Sequence, residues 1–211
     1  DKWMKIPTLT FETLVPLDKS ELLLDYRARP LDERKIVEGA SYILGVDVGS
    51  TTTKMVLFNT SDGSIGASSY LRTHGNPVLA VQNCLWEILA QVRGRTIHIS
   101  QAAVTGSGRE VASVYLDNCL SFNEILAHAR AAREVEPDVD TVFEIGGQDS
   151  KFISFLRGVP IDYAMNEGCS AGTGSFLEES ASLDMGVAME EISRSACGSS
   201  CPIGFGERCA A

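Results

Sequence analysis

Apolar and polar positions alternate from Tyr42 onward, and the period of the alternation changes along the chain in a definite order. A period of two over about 42–48, 53–59 and 65–72 predicts three strands, because successive strand side chains point to opposite faces. Ser61-Asp62-Gly63 separates the second from the third as a hairpin turn, with glycine supplying the positive φ. The period then lengthens. Val78, Val81, Leu85, Ile88, Leu89 and Val92 recur at helical spacing, opened by Asn76 as N-cap and Pro77 at the first helical position, and closed by Gly94. A strand over 97–104, the turn Thr105-Gly106-Ser107-Gly108, a helix over 109–117, a short apolar segment near 120–122 and a helix ending before Pro137 follow. The pattern then restarts. Strands are predicted over 140–145, 150–156 and 159–165, the last two joined at Arg157-Gly158, and a further helix begins near 170–174.

The restart repeats the first hairpin. Val46-Asp47-Val48-Gly49-Ser50-Thr51-Thr52-Thr53-Lys54-Met55-Val56-Leu57-Phe58 aligns without a gap onto Phe143-Glu144-Ile145-Gly146-Gly147-Gln148-Asp149-Ser150-Lys151-Phe152-Ile153-Ser154-Phe155. Each copy reads apolar, acid, apolar, glycine, a small polar run, lysine, then apolar again. The order βββαβαβα of the first part is that of an RNase H-like lobe, three antiparallel strands extended by crossovers. The fold class expected is therefore α/β, an RNase H-like lobe plus the start of a second, duplicated lobe. Residues 1–40 are weakly patterned and read as a connector from an upstream region, 41–138 as the first lobe and 139–211 as the start of the second. The chain reads as a piece of a longer polypeptide.

Composition narrows the function classes. A net charge of −10 argues against a general nucleic-acid binder, which would present a basic face. Apolar residues make up 44% and charged residues 22%, ordinary for a soluble protein. No apolar run approaches membrane-spanning length and no signal peptide is visible, so a cytoplasmic protein with no membrane partner is expected. The six cysteines therefore do not read as a disulfide framework. Cys84 and Cys119 fall in apolar patterns and read as core; Cys169, Cys197, Cys201 and Cys209 crowd into the last part of the chain.

The repeated turns carry the candidate chemistry. A polyphosphate needs close backbone approach and inward-facing donors. Gly49, with Ser50, Thr51, Thr52 and Lys54, offers both in the first copy, and Gly146, Gly147, Gln148 and Ser150 in the second. Asp47 and Glu144 end the preceding strands, where they would hold Mg²⁺ through waters and orient a hydrolytic water. Gly106 marks a third small-residue turn that would line the same cleft. Gly-rich hairpins are also common as plain tight turns; two in register, each with its own acid and lysine, favour the phosphate reading. There is no G-x-x-x-x-G-K-[ST] loop and no G-x-G-x-x-G opening a crossover helix. His74, His98 and His128 read as surface or satisfied core, and Arg109 as a solvated helix start.

Cys169 precedes a predicted helix N-terminus, where the dipole favours a thiolate. Gly45–Lys54, Val104–Arg109, Glu144–Lys151, Asn166–Glu178 and Gly206–Ala211 together resemble the ATP-dependent activators of 2-hydroxyacyl-CoA dehydratases and the ATPase subunits of benzoyl-CoA reductases. The resemblance spans roughly 42–211 and implies an actin-like ATPase fold. It departs from the family pattern at Ser170, where alanine is commoner, and at Glu144, where many members carry aspartate.

The resemblance implies further that each subunit of a homodimer binds ATP with Mg²⁺. It implies that Cys169 and Cys209 supply half of a shared [4Fe–4S] cluster, which requires four thiolates in all. ATP hydrolysis would drive low-potential electron transfer from a flavodoxin or ferredoxin-type donor to a dehydratase or reductase partner. Other readings stay open on the residues alone. They are a sugar- or acetate-type kinase on the same fold, a nucleotide-binding regulatory module without turnover, and a single-chain Cys₄ site drawing in Cys197 and Cys201.

Overall fold

A computed structural model describes residues 12–13, 15–16, 36–166, 170 and 172–204. The chain divides into two compact units, Ala28–Thr173 and a second that combines Asp1–Arg27 with Gly174–Ala211.

The larger unit is built on a five-stranded sheet. Strands β2 (Ser41–Val48), β3 (Thr52–Asn59) and β4 (Ile65–Arg72) form an antiparallel meander. β5 (His98–Thr105) then pairs parallel with β2, and the short β6 (Leu120–Ser121) parallel with β5. The order β4-β3-β2-β5-β6 is the one expected for an RNase H-like lobe. The limits of β2 and β3 match the alternation in the sequence closely because each of these strands is half buried. Tyr42, Leu44, Val46 and Val48 of β2 and Met55 and Leu57 of β3 turn inward, and their neighbours in sequence turn out. Burying side chains of this size contributes about 1.5–3 kcal/mol each.

Helix α1 (Pro77–Val92) covers that face with Ala80, Val81, Cys84 and Ile88. Asn76 caps it as expected, its Oδ1 accepting from Leu79 N–H at 3.0 Å. Helix α2 (Arg109–Tyr115) adds Ala112 to the same core. Ile36, upstream of the first strand of this sheet, joins the core too.

Helix α3 (Glu124–Val135) turns away from this core. Asn123 caps it, accepting from Ile125 N–H at 2.8 Å. Its Ala129 packs with Ile153 and Phe155, a separate apolar cluster that Ile125 and Val142 border. Those two buried residues belong to a second antiparallel sheet, β7 (Thr141–Ile145), β8 (Ser150–Leu156) and β9 (Val159–Met165), in the order β7-β8-β9. Arg157 and Gly158 both take positive φ between β8 and β9, which suits a two-residue hairpin.

The two meanders are copies in register as well as in sequence. Val46 pairs with Met55 and Asp47 with Lys54; Phe143 pairs with Phe152 and Glu144 with Lys151. An irregularity falls between Leu57 and Phe58 in one and between Ser154 and Phe155 in the other, at matching positions. Such bulges bend a strand and sharpen its twist.

In the other unit, β1 (Glu12–Thr13) pairs antiparallel with β10 (Ile203–Gly204). The periodicity of residues 1–40 gives no sign of β1. Helix α4 (Gly174–Glu179) widens into a π-helical stretch over Ser180–Asp184, and α5 (Met189–Cys197) follows. Among the described residues no helix is long and apolar enough to cross a membrane.

Candidate functional site

The connections β2–β3 and β7–β8 are built alike. In each, the glycine after the first strand donates its N–H to a carbonyl three residues on: Gly49 to Thr52 O and Gly146 to Asp149 O, both at 2.9 Å. The residue that follows the third strand then reaches back to its own loop. Thr73, buried after β4, donates its hydroxyl to Gly49 O at 2.8 Å and its N–H to Thr51 O at 2.9 Å, and its Oγ1 lies 2.9 Å from Thr53 Oγ1. Asn166, after β9, accepts at Oδ1 from Ser150 N–H at 2.9 Å and donates its own N–H to Ser150 O at 3.2 Å. Both loops are thus fixed from behind.

The loops face each other. Gly147 lies so close to Thr51 that a Cβ there would come within 2.7 Å of Oγ1. Between them is a cavity of about 180 Å³. Ordinary ligand pockets run to roughly 300–1,000 Å³, so this one suits a polyphosphate with its waters rather than a whole nucleotide. From the first lobe it is lined by Asp47, Gly49, Ser50, Thr51, Thr52 and Lys54, and from the second by Glu144, Gly146, Gly147, Gln148, Asp149 and Lys151.

Ten of the twelve residues singled out for catalysis and phosphate binding therefore line one cleft. Ser150 does not; its backbone is taken up by Asn166 and it borders a different hollow beside Phe143 and Phe152. Gly106 stands behind the cleft, and its neighbour Ser107 lines it. Gly106 has φ +92°, and a Cβ would meet Val48 O at 2.5 Å and Asp47 Oδ1 at 2.6 Å, so this glycine lets the third turn close against the end of β2. Arg109 folds back on its own turn, donating to Gly106 O at 3.2 Å.

Two lining residues escaped the motif reading. Glu124 and His128 stand one turn apart on α3 and both reach the cleft. The available signal was their i, i+4 spacing directly after a helix cap, which on its own describes any helix face. His74 and His98 are exposed, as expected.

The matched lysines have diverged. Lys54 Nζ donates to Asp47 Oδ2 at 2.9 Å and lies 5.7 Å from the centre of the Tyr70 ring, yet its side chain remains 41% exposed. Lys151 is 2% exposed and meets three carboxylates: Asp149 at 2.8 Å, Glu144 at 3.0 Å and Glu124 at 3.6 Å. Burial alone would lower the pKa of this ammonium. The hydrogen bonds it donates to Asp149 and Glu144 and the charges of Glu124 and Glu144 outweigh burial, so the pKa is pushed above the ordinary lysine value.

Among the described residues no three His, Cys, Asp or Glu side chains converge as a ready-made metal site. Mg²⁺ held largely by waters and phosphate oxygens needs no such cage. The carboxylates of Asp47 and Glu144 on the cleft wall fit that mode of binding. Cys169 and Cys209 lie outside the described residues. Cys197 and Cys201 are free and exposed, Cys84 is buried as expected, and Cys119 packs at the edge of the first core.

The family model that matches residues 44–211 is that of the BadF/BadG/BcrA/BcrD ATPases. The chain belongs to this family. It is 33% identical over 142 residues to the (R)-2-hydroxyglutaryl-CoA dehydratase activating ATPase of Acidaminococcus fermentans, a match that covers 67% of this chain and 53% of that protein. Two solved structures share its fold. The crystal structure of the Acidaminococcus fermentans (R)-2-hydroxyglutaryl-CoA dehydratase component A superposes with a TM-score of 0.69 at 28% identity, covering 81% of this chain and 64% of the other. The activator of the 2-hydroxyisocaproyl-CoA dehydratase from Clostridium difficile, solved with bound ADPNP, gives 0.68 at 28% identity, with coverages of 80% and 61%. The chain spans about half the length of the curated relatives it matches. These likenesses bear out the expected α/β, actin-like ATPase fold and the family read from the motifs.

Proposed function

We propose that this chain binds the polyphosphate of ATP·Mg²⁺ between its two repeated loops and hydrolyses it. The hydrolysis would serve to activate a 2-hydroxyacyl-CoA dehydratase or an acyl-CoA reductase. The observation that carries the proposal is the facing of two loops of the same construction across one small cleft. The names of its relatives, dehydratase activators among them, support it.

In this reading the N–H groups of Gly49, Gly146, Gly147 and Gln148 and the hydroxyls of Ser50, Thr51 and Thr52 hold phosphate oxygens. Lys54, exposed and held by a single carboxylate, swings its ammonium toward the phosphate charge. Asp47 and Glu144 order the waters around Mg²⁺ and orient the attacking water toward the terminal phosphorus. Catalysis of this kind rests on positioning and electrostatics rather than covalent chemistry.

Cys169 and Cys209 would hold half of a [4Fe–4S] cluster shared with a second copy of the chain. When bound, such a cluster supplies the low-potential electron, received from a flavodoxin or ferredoxin-type donor. The chain's own part is to change shape with the state of the phosphate in its cleft.

Turnover of ATP by the purified chain, measured with and without Asp47→Asn, tests the hydrolytic part. Hydrolysis is expected to fall at least about a hundredfold in the variant, with ATP still bound. Hydrolysis that survives at the original rate would refute the role given to Asp47. Iron and acid-labile sulfide in anaerobically prepared chain, lost in Cys169→Ala, test the cluster.

A further inference from the structure

Glu124 comes from outside both hairpins and yet meets the buried lysine of one. It is the first residue of α3, where the helix dipole favours a carboxylate. The reason it arrives there is packing. Lys151, Ile153 and Phe155 alternate along β8 and share the buried face of that strand. Ala129 of α3 packs with the last two, which brings the start of the same helix to the first. In the other copy of the hairpin nothing equivalent is seen: Lys54 is ion-paired with Asp47 alone among the described residues. The duplication has therefore been altered on one side, by an acid contributed from a helix.

From this we infer that Glu124 is a positioning residue for the proposed ATP site and acts through Lys151. This inference rests on the function proposed above. Lys151 holds Glu144 at 3.0 Å and Asp149 at 2.8 Å, on either side of the Gly146-Gly147-Gln148 loop. With Glu124 as a third anchor, the ammonium stays on β8, paired with Glu144 and Asp149, and cannot leave the strand to pair with phosphate. Glu144 is then held in place on the cleft wall, and phosphate charge is left to Lys54. His128, one turn along α3 on the same cleft wall, places the helix itself beside the reacting groups. Loss of the Glu124 charge should loosen the second loop and lower the rate of the chemical step more than it weakens ATP binding.

The test uses the whole chain. Glu124→Gln keeps the shape of the side chain and removes its charge, and Glu134→Gln serves as a control on an exposed pair with Arg130 at the far end of α3. For Glu124→Gln we expect kcat for ATP hydrolysis to fall about tenfold, equivalent to about 1.4 kcal/mol in the barrier. We expect KM for ATP to change less than about threefold. Amide exchange over 144–151 should accelerate, with exchange over 41–59 as in the control. Should Glu124→Gln fail to fold, Glu124→Asp takes its place, since it withdraws the same charge from Lys151 by one methylene, with the same expectations.

Unchanged exchange over 144–151 would overturn the inference, as would faster exchange with unchanged kcat, or an equal loss of exchange protection in both hairpins. A chain without any ATPase activity would instead refute the functional reading, and the exchange measurement, which needs no turnover, would still decide the role of Glu124.

Discussion

Asn166 and Ser150 exchange two hydrogen bonds, side chain to backbone at 2.9 Å and backbone to backbone at 3.2 Å. Together they fix the exit of the second loop to the end of β9. Asn166→Ala leaves the Ser150 N–H without its side-chain acceptor. The expected cost is about 1 kcal/mol of stability, read from urea denaturation, with ATP affinity lowered several-fold by calorimetry. An unaltered affinity would show that this contact does not set the loop.

Thr73 does the same for the first loop with a hydroxyl. Thr73→Val keeps the shape and removes the donor, leaving Gly49 O and Thr53 Oγ1 short of a buried partner. A loss of about 1–3 kcal/mol is expected. Thr73→Ser keeps the hydroxyl and should recover most of it.

Gly106 and Gly147 should respond differently to alanine. At Gly147 the obstacle is the Thr51 side chain on the opposite loop, so Gly147→Ala is expected to force the loops apart and weaken ATP binding. At Gly106 the obstacles are the backbone of Val48 and the Asp47 carboxylate, and φ is positive. Gly106→Ala should therefore destabilise the fold more, by about 1–3 kcal/mol or above, as seen in the melting temperature.

Two buried groups contribute to the pH dependence of stability. Burial raises the pKa of the Cys84 thiol above its ordinary value of 9.0. A group whose pKa is higher folded than unfolded stabilises fully below the unfolded value and loses that contribution as pH rises through the folded one. Stability is thus expected to decline above about pH 9, and Cys84→Ala should flatten that limb. Lys151 has the same sign and a higher range, so its ion pairs should contribute in full throughout the neutral range. Melting temperatures across a pH series would check both.

Much of the fold was legible because strands such as β2, β3 and β8 are half buried and the turns demand particular residues. The 65–72 strand, the Asn76 cap and the Arg157-Gly158 turn all followed from such local rules. The facing loops were legible because the hairpin is written twice. What stayed hidden depends on contacts between distant segments. Nothing local marks Thr73 or Asn166 as loop anchors, since each acts on residues many positions upstream. Glu124 and His128 look like any solvated helix face until α3 is seen packing on β8. The divergence of Lys54 from Lys151 is invisible in matched motifs, because burial is a property of the surroundings and not of the motif.

Amide hydrogen exchange of the chain with and without Mg·ATP decides whether the two loops grip one polyphosphate. The loops at 49–54 and 146–151 should gain protection together, over the same range of nucleotide concentration. Protection of one loop without the other, or of neither at saturating nucleotide, would contradict it.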